Sequence, residues 1–198
     1  MTECVTVFID YQNVHLTARG LYQPQGAPPE DSIVHPGRVA ERIVAKRLFP
    51  SELRQVLVFR GRPNPARQPK LTAANDAQTA AWERDPRVRV IRRDLNYRGW
   101  PDERPREKGV DVALAVRLVE CALANESDAL VVFSADTDIL PAVEMVYYKT
   151  ETRVEIASWS GAKPLWFPRE LQAGRKMPFC HFLAEDDFER CRDLTPYV

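Results

Sequence analysis

The chain has little histidine or cysteine, and neither falls into a metal-binding or redox pattern. Its three histidines, His15, His35 and His181, stand alone. Its four cysteines, Cys4, Cys121, Cys180 and Cys191, form no CxxC and have no histidine at zinc-finger spacing. That argues against a zinc module and a disulfide framework, and reads as reduced, mostly buried thiols in a cytoplasmic protein. Neither sign of charge dominates: 28 basic residues balance 28 acidic ones. An argument for a nucleic-acid partner must therefore rest on local clusters. No apolar run approaches the roughly 18 residues of a membrane span, so no membrane association is expected. No basic stretch precedes the first apolar run, so no signal peptide is expected. No GxGxxG follows a strand, which argues against a dinucleotide-binding enzyme.

What is present suits a globular core. The 198 residues are 44% hydrophobic, which fits one domain, with or without decorations. Short β-branched and aromatic runs read as strands at Val5–Ile9, Leu53–Phe59, Val88–Ile91, Ala129–Phe133 and Arg153–Ala157. Segments with helical spacing or propensity fall between them, at Arg38–Phe49, Leu71–Arg84, Val110–Ala124 and Ile139–Tyr148. Tyr22–Pro36, Gly61–Pro69 and Asn96–Glu107 are broken by proline and glycine and read as loops. After Ser158 the signal weakens, with an edge strand over Phe179–Leu183 and a closing helix over Glu185–Arg192. The alternation predicts an α/β fold with a parallel sheet and right-handed crossovers.

Carboxylates gather where such a sheet binds ligands, outside the carboxyl ends of its strands. Asp10 ends the first strand, and Asp136 follows the fourth. Asp138 comes two residues later. Pro141 is tolerated only in a first helical turn, so a helix starts near Thr137 or Asp138, where the dipole favours a carboxylate. Asp111 lies after Gly109 at the start of its own helix, and shares the edge if the preceding loop returns there. Four acids together repel one another unless a cation neutralises them. Oxygen ligands of this kind suit Mg²⁺ or Mn²⁺, which can support in-line phosphoryl displacement by water. Each aspartate alone is more often a cap or turn residue than a catalytic one; the constellation carries the reading.

The motifs around these acids bear a family resemblance. Phe8-Ile9-Asp10-Tyr11-Gln12-Asn13 is similar to the opening D-x-x-N motif of the NYN domains, a branch of the PIN-like nucleases. Lys108-Gly109-Val110-Asp111-Val112-Ala113-Leu114-Ala115 resembles their central motif. Ser134-Ala135-Asp136-Thr137-Asp138-Ile139-Leu140-Pro141 resembles their S-x-D-x-D motif. The resemblance covers roughly residues 4–160. It implies a three-layer α/β/α PIN-like fold over residues 1–160, with a mainly parallel sheet of about five strands. Residues 161–198 would be a C-terminal extension packed on the same domain. It further implies an Mg²⁺- or Mn²⁺-dependent endoribonuclease leaving a 5′-phosphate and a 3′-hydroxyl. Asp10, Asp111, Asp136 and Asp138 would bind the metal, and Asn13 would orient Asp10 or a nearby water. Ser134 would shape the turn that presents Asp136. Asn13 reads alternatively as a helix N-cap before Val14. Many family members carry a further acid six residues after the central aspartate; here that position is Arg117. Arg117 lends support to a second reading, a weakly active or inactive RNA-binding protein that keeps the fold.

Two basic clusters follow strands. Arg60, Arg62, Arg67 and Lys70 have no acid among them and should overhang the carboxylate edge. Arg92, Arg93, Arg98, Arg104, Arg106 and Lys108 interleave with Tyr97 and Trp100, but Asp94, Asp102, Glu103 and Glu107 dilute them. Arginine suits phosphates and aromatic rings stack on unpaired bases. The first cluster and Lys108 are therefore the candidate RNA contacts, with Lys108 equally readable as a solvated loop lysine. Trp159 and Trp166 read as packing residues. A homodimer is compatible with the family's habit of pairing, although no exposed apolar stripe in the sequence demands one. A haloacid-dehalogenase-type phosphohydrolase would need an aspartate two residues after Asp10, where Gln12 stands.

Overall fold

The computed structural model describes residues 1–165 and 177–197; Trp166 lies outside them. The six strands are β1 (Glu3–Asp10), β2 (Ser51–Arg62), β3 (Val88–Asp94), β4 (Ala129–Phe133), β5 (Arg153–Trp159) and β6 (Cys180–Leu183). Among the described residues the α-helices are α1 (Tyr11–Tyr22), α2 (Pro36–Ala45), α3 (Pro69–Trp82), α4 (Val110–Leu123), α5 (Leu140–Lys149) and α6 (Glu185–Cys191). The strands form one sheet in the order β3-β2-β1-β4-β5-β6, and every pairing is parallel. The chain grows outward from β1 in one direction, then returns to lay β4 on the other side of β1. That reversal opens a crevice beyond the carboxyl ends of β1 and β4.

Both faces of the sheet are covered, because successive strand residues point to opposite sides. β1 sends Val5, Val7 and Ile9 to one core, joined by Val14 and Ala18 of α1, Val39 and Ile43 of α2, Trp82 of α3 and Phe188 of α6. It sends Phe8 to the other, where Leu57 and Phe59 of β2 meet Leu114 and Leu118 of α4 and Val143 and Val146 of α5. This is a three-layer α/β/α sandwich. Among the described residues no helix is long and apolar enough to cross a membrane. All four cysteines are free. Burial pushes the thiols of Cys121 and Cys191 up to about 12 and that of Cys180 to about 11, so they stay protonated and inert.

Three local differences from the sequence reading have simple causes. α1 begins directly after Asp10, with no loop to announce it. α2 starts at Pro36, since proline fits a first helical position, and stops before Leu48 and Phe49, which lie exposed. The outer face of α4 exposes Val112, Val116 and Leu123, an apolar stripe opposite the face whose spacing predicts burial.

At the end of the sheet away from the crevice, Arg47, Glu155 and His181 are buried together. Arg47 donates Nε to Glu155 Oε2 at 3.0 Å and Nη2 to Oε1 at 2.8 Å, and His181 Nε2 lies 2.7 Å from Oε2. Burial alone would raise the Glu155 pKa, but His181 and Arg47 outweigh it and hold the carboxyl at about 2. A depressed pKa means stability that is present above the ordinary glutamate range and lost as pH falls toward 2. Glu155→Ala takes from the Arg47 guanidinium its fully buried partner, leaving it Glu3 at 2.8 Å, and takes from buried His181 the carboxylate it meets. We expect a loss of about 3–5 kcal/mol, read by urea denaturation at neutral pH; a loss below 1 kcal/mol, roughly that of an exposed ion pair, would contradict this account.

Candidate active site

Asp10 is at once the last residue of β1 and the N-cap of α1. Its Oδ1 accepts the backbone N–H of Asn13 at 3.3 Å, and its Oδ2 accepts the Ser134 hydroxyl at 2.9 Å. It is 8% exposed. Burial pushes its carboxyl above the usual aspartate range; the bonds from Ser134 and Asn13 oppose that shift, and the charges of Asp136 and Asp111 add to it. An acid held this way, beside two others, is arranged for something other than stability.

The turn after β4 is tied to the same corner. Ser134 Oγ accepts the N–H of Asp136 at 3.0 Å while its proton points to Asp10. Asn13 Oδ1 accepts the N–H of Ala135 at 3.1 Å. Asp136 caps a short 3-10 turn, Thr137–Ile139, by accepting the N–H of Asp138 at 3.0 Å. α5 follows at once, with Pro141 in its first turn. Asp10, not Asn13, is therefore the N-cap of α1, which corrects the alternative reading of Asn13. The amide instead bridges from α1 to the β4 turn and locks the two acid-bearing segments together.

Asp111 arrives by way of the loop after β3. Leu95 N–H reaches Arg62 O at 3.0 Å, and Asn96 and Arg106 exchange backbone bonds at 2.8 and 3.1 Å. The loop thus doubles back to the crevice. Gly109 turns the chain into α4 with φ +73°, a left-handed conformation suited to glycine. Asp111 stands in the first turn of that helix.

The same return brings in an acid that the sequence reading missed. Glu107 Oε1 accepts the N–H of Gly61 at 2.5 Å. Burial raises the Glu107 pKa; Gly61 opposes it, and Asp10 and Asp111 add to it. A side chain on Gly61 would start 3.0 Å from Glu107 and 2.3 Å from Leu95, so glycine is needed for this approach. In the sequence Glu107 looked like one more acid in a mixed loop. The available signal was its place two residues before the glycine that turns the chain into α4.

Asp10, Glu107, Asp111 and Asp136 line one cleft of about 400 Å³, together with Gln12, Asn13, Leu16, Thr17 and Val110. Asp138 is exposed and is not among the lining residues. Among the described residues, no three His, Cys, Asp or Glu side chains converge closely enough to hold an ion directly. The donor set is all oxygen and its charges are mutually repulsive, which fits a hard divalent cation gripped partly through water.

The basic residues are divided. Arg60 turns inward, its guanidinium 4.9 Å from the Tyr11 ring and 5.2 Å from Trp82, and donates to Gln78 at 2.9 Å. Arg62 is forked onto Asp76 at 2.9 and 2.8 Å, and Arg92 also binds Asp76. The two arginines hold the Asp76 carboxyl down at about 2. An acid from α3 thus neutralises part of a cluster that looked free of acids. Arg67 is exposed beside the Tyr97 ring, 5.0 Å away, and Lys70 is exposed at the start of α3. Lys108 is exposed and lines a shallow depression with Arg92, Arg93 and Asn96. Arg117 is turned to Glu126 at 2.8 Å and Glu120 at 3.5 Å and does not line the cleft. Trp159 is fully buried, its Nε1 donating to Val14 O at 2.9 Å. His15 binds Ser32 O at 3.1 Å and is not among the cleft residues.

The NYN domain model matches residues 4–172 of the chain. No curated protein matches it. Among solved structures, a protein of unknown function from Vibrio parahaemolyticus RIMD 2210633, VPA0982, is similar with a TM-score of 0.56. The two share 17% identity, and the match covers 94% of this chain and 95% of that one. At that identity the likeness speaks to the fold.

Proposed function

The chain belongs to the NYN domain family, a PIN-like nuclease family, and from that premise we propose that it is a divalent-cation-dependent endoribonuclease working in the carboxylate cleft. The observation that carries the reading is the convergence of Asp10, Glu107, Asp111 and Asp136, from three separate segments, on one cleft at the sheet's reversal point. Structure alone would not favour so many acids there, since each raises the cost of ionising the others.

The residues divide the work. Asp10, Asp111 and Asp136 hold the cation, directly or through its water shell, with Asp138 at the rim of the same turn. Mg²⁺ and Mn²⁺ both fit such oxygen donors. When bound, the cation supplies Lewis-acid charge for activating water and for stabilising the oxyanions of a phosphodiester. Ser134 and Asn13 fix the directions of Asp10 and of the Asp136 turn. Glu107, anchored through one oxygen by Gly61, offers the other to the cleft. Exposed Arg67, Lys70 and Lys108 would meet RNA phosphates, whereas Arg60 and Arg62 are engaged within the fold by Gln78 and Asp76.

Cation binding can be read without catalysis. A ligand that binds only the folded protein raises its stability, by about 2.7 kcal/mol at a hundred times Kd. We expect Mn²⁺ to raise the melting temperature at neutral pH and Asp136→Asn to remove that shift. The shift should shrink in mild acid, because Asp10 and Glu107 keep their protons above the usual carboxylate range. A Mn²⁺ shift that survives Asp136→Asn undiminished would place the cation elsewhere.

A further inference from the structure

Helix α4 carries apolar residues on two opposite faces, with Arg117 and Glu120 between them. Leu114, Leu118, Cys121 and Ala122 are buried, whereas Val112, Val116 and Leu123 are 59%, 52% and 59% exposed. At 3.6 residues per turn the three exposed residues fall on one line opposite the buried ones. A surface helix ordinarily turns one apolar face to the core and polar residues to solvent, so a second apolar face is a candidate contact surface. The neighbouring α5 packs along α4 and exposes Met145. A shallow groove runs beside the stripe, with Arg93 and Gly109 at one end, Val112 and Val116 between, and Glu120 at the other. The Arg93 guanidinium lies 3.7 Å from the point where a side chain on Gly109 would begin, and Arg93 is exposed. Arg117 takes Glu126 at 2.8 Å and only a 3.5 Å contact from Glu120, whose side chain is 59% exposed.

We propose that this face binds a second copy of the chain, with the two α4 helices antiparallel across a two-fold axis near Val116. The charge pattern selects that partner. A two-fold axis at mid-groove sets Arg93 of each copy against Glu120 of the other and lays one valine stripe on the other, as an isologous interface requires. The charge of Arg117, close to the axis, is already answered by Glu126 within its own chain. The opposite-charge ends fix the register, while the stripe supplies the apolar burial.

Sedimentation velocity of the full chain over a wide concentration range tests this. The native protein should dimerise. Val116→Glu, which sets two carboxylates across the axis, should leave a monomer that keeps the native circular dichroism spectrum. Arg93→Glu and Glu120→Arg should each weaken the dimer about tenfold, and the two together should restore it. A native protein that stays monomeric throughout would overturn the proposal and leave the face to a different partner. A dimer indifferent to Val116→Glu, or a double charge swap no better than either single change, would overturn it equally.

Discussion

Asp10→Asn should lower RNA cleavage on the order of a thousandfold while leaving the melting temperature at neutral pH unchanged or higher. The loss follows from removing a carboxylate of the proposed cation site, where several kcal/mol of transition-state charge stabilisation are at stake. The stability follows from the direction of the Asp10 shift. Its folded pKa is raised, chiefly by burial, so the folded protein holds that proton more tightly than the unfolded chain. The associated stability is present in acid and lost as pH rises through the folded pKa. At neutral pH Asp10 is therefore a burden on the fold, and asparagine keeps an acceptor for the Asn13 N–H while removing the charge. Calorimetry beside a cleavage assay reads both sides. A marked drop in melting temperature would recast Asp10 as a structural cap.

Glu107→Gln should lower cleavage about tenfold to a hundredfold, the range for groups that support a metal's ligands. The amide can still accept the Gly61 N–H, so the loop stays in place, but the negative charge beside Asp10 and Asp111 is gone. Asp10 loses one of its like-charged neighbours, so the acid limb of the pH–rate profile should move to lower pH. A structural role alone would change stability and leave that limb unmoved. Equal rates and an unchanged profile would remove Glu107 from the site.

Much of the fold can be read from the chain because its signals are local. β4 falls where its five continuous apolar residues place it, since a strand covered on both faces needs no alternation. Pro141 fixes the start of the α5 region to within a turn, because proline is confined to a first helical turn. Other features depend on contacts that spacing does not reveal. α1 follows β1 without a break, and one residue serves as strand end and helix cap. Glu107 becomes a cleft residue only through the exchange of bonds between Asn96 and Arg106 and the bare backbone of Gly61. Arg62 looks free until Asp76, one helix later, reaches back to it. Arg117 faces Glu126 and not the cleft. The fourth acid of the cleft comes from Glu107.

The most direct test is cleavage of an end-labelled single-stranded RNA by the native chain with Mn²⁺ or Mg²⁺, beside an EDTA control and the Asp136→Asn protein. Cleavage that both controls abolish, leaving 5′-phosphate and 3′-hydroxyl ends, is the result this account predicts. RNA bound but left whole by the native protein, or cut equally well by Asp136→Asn, would contradict it.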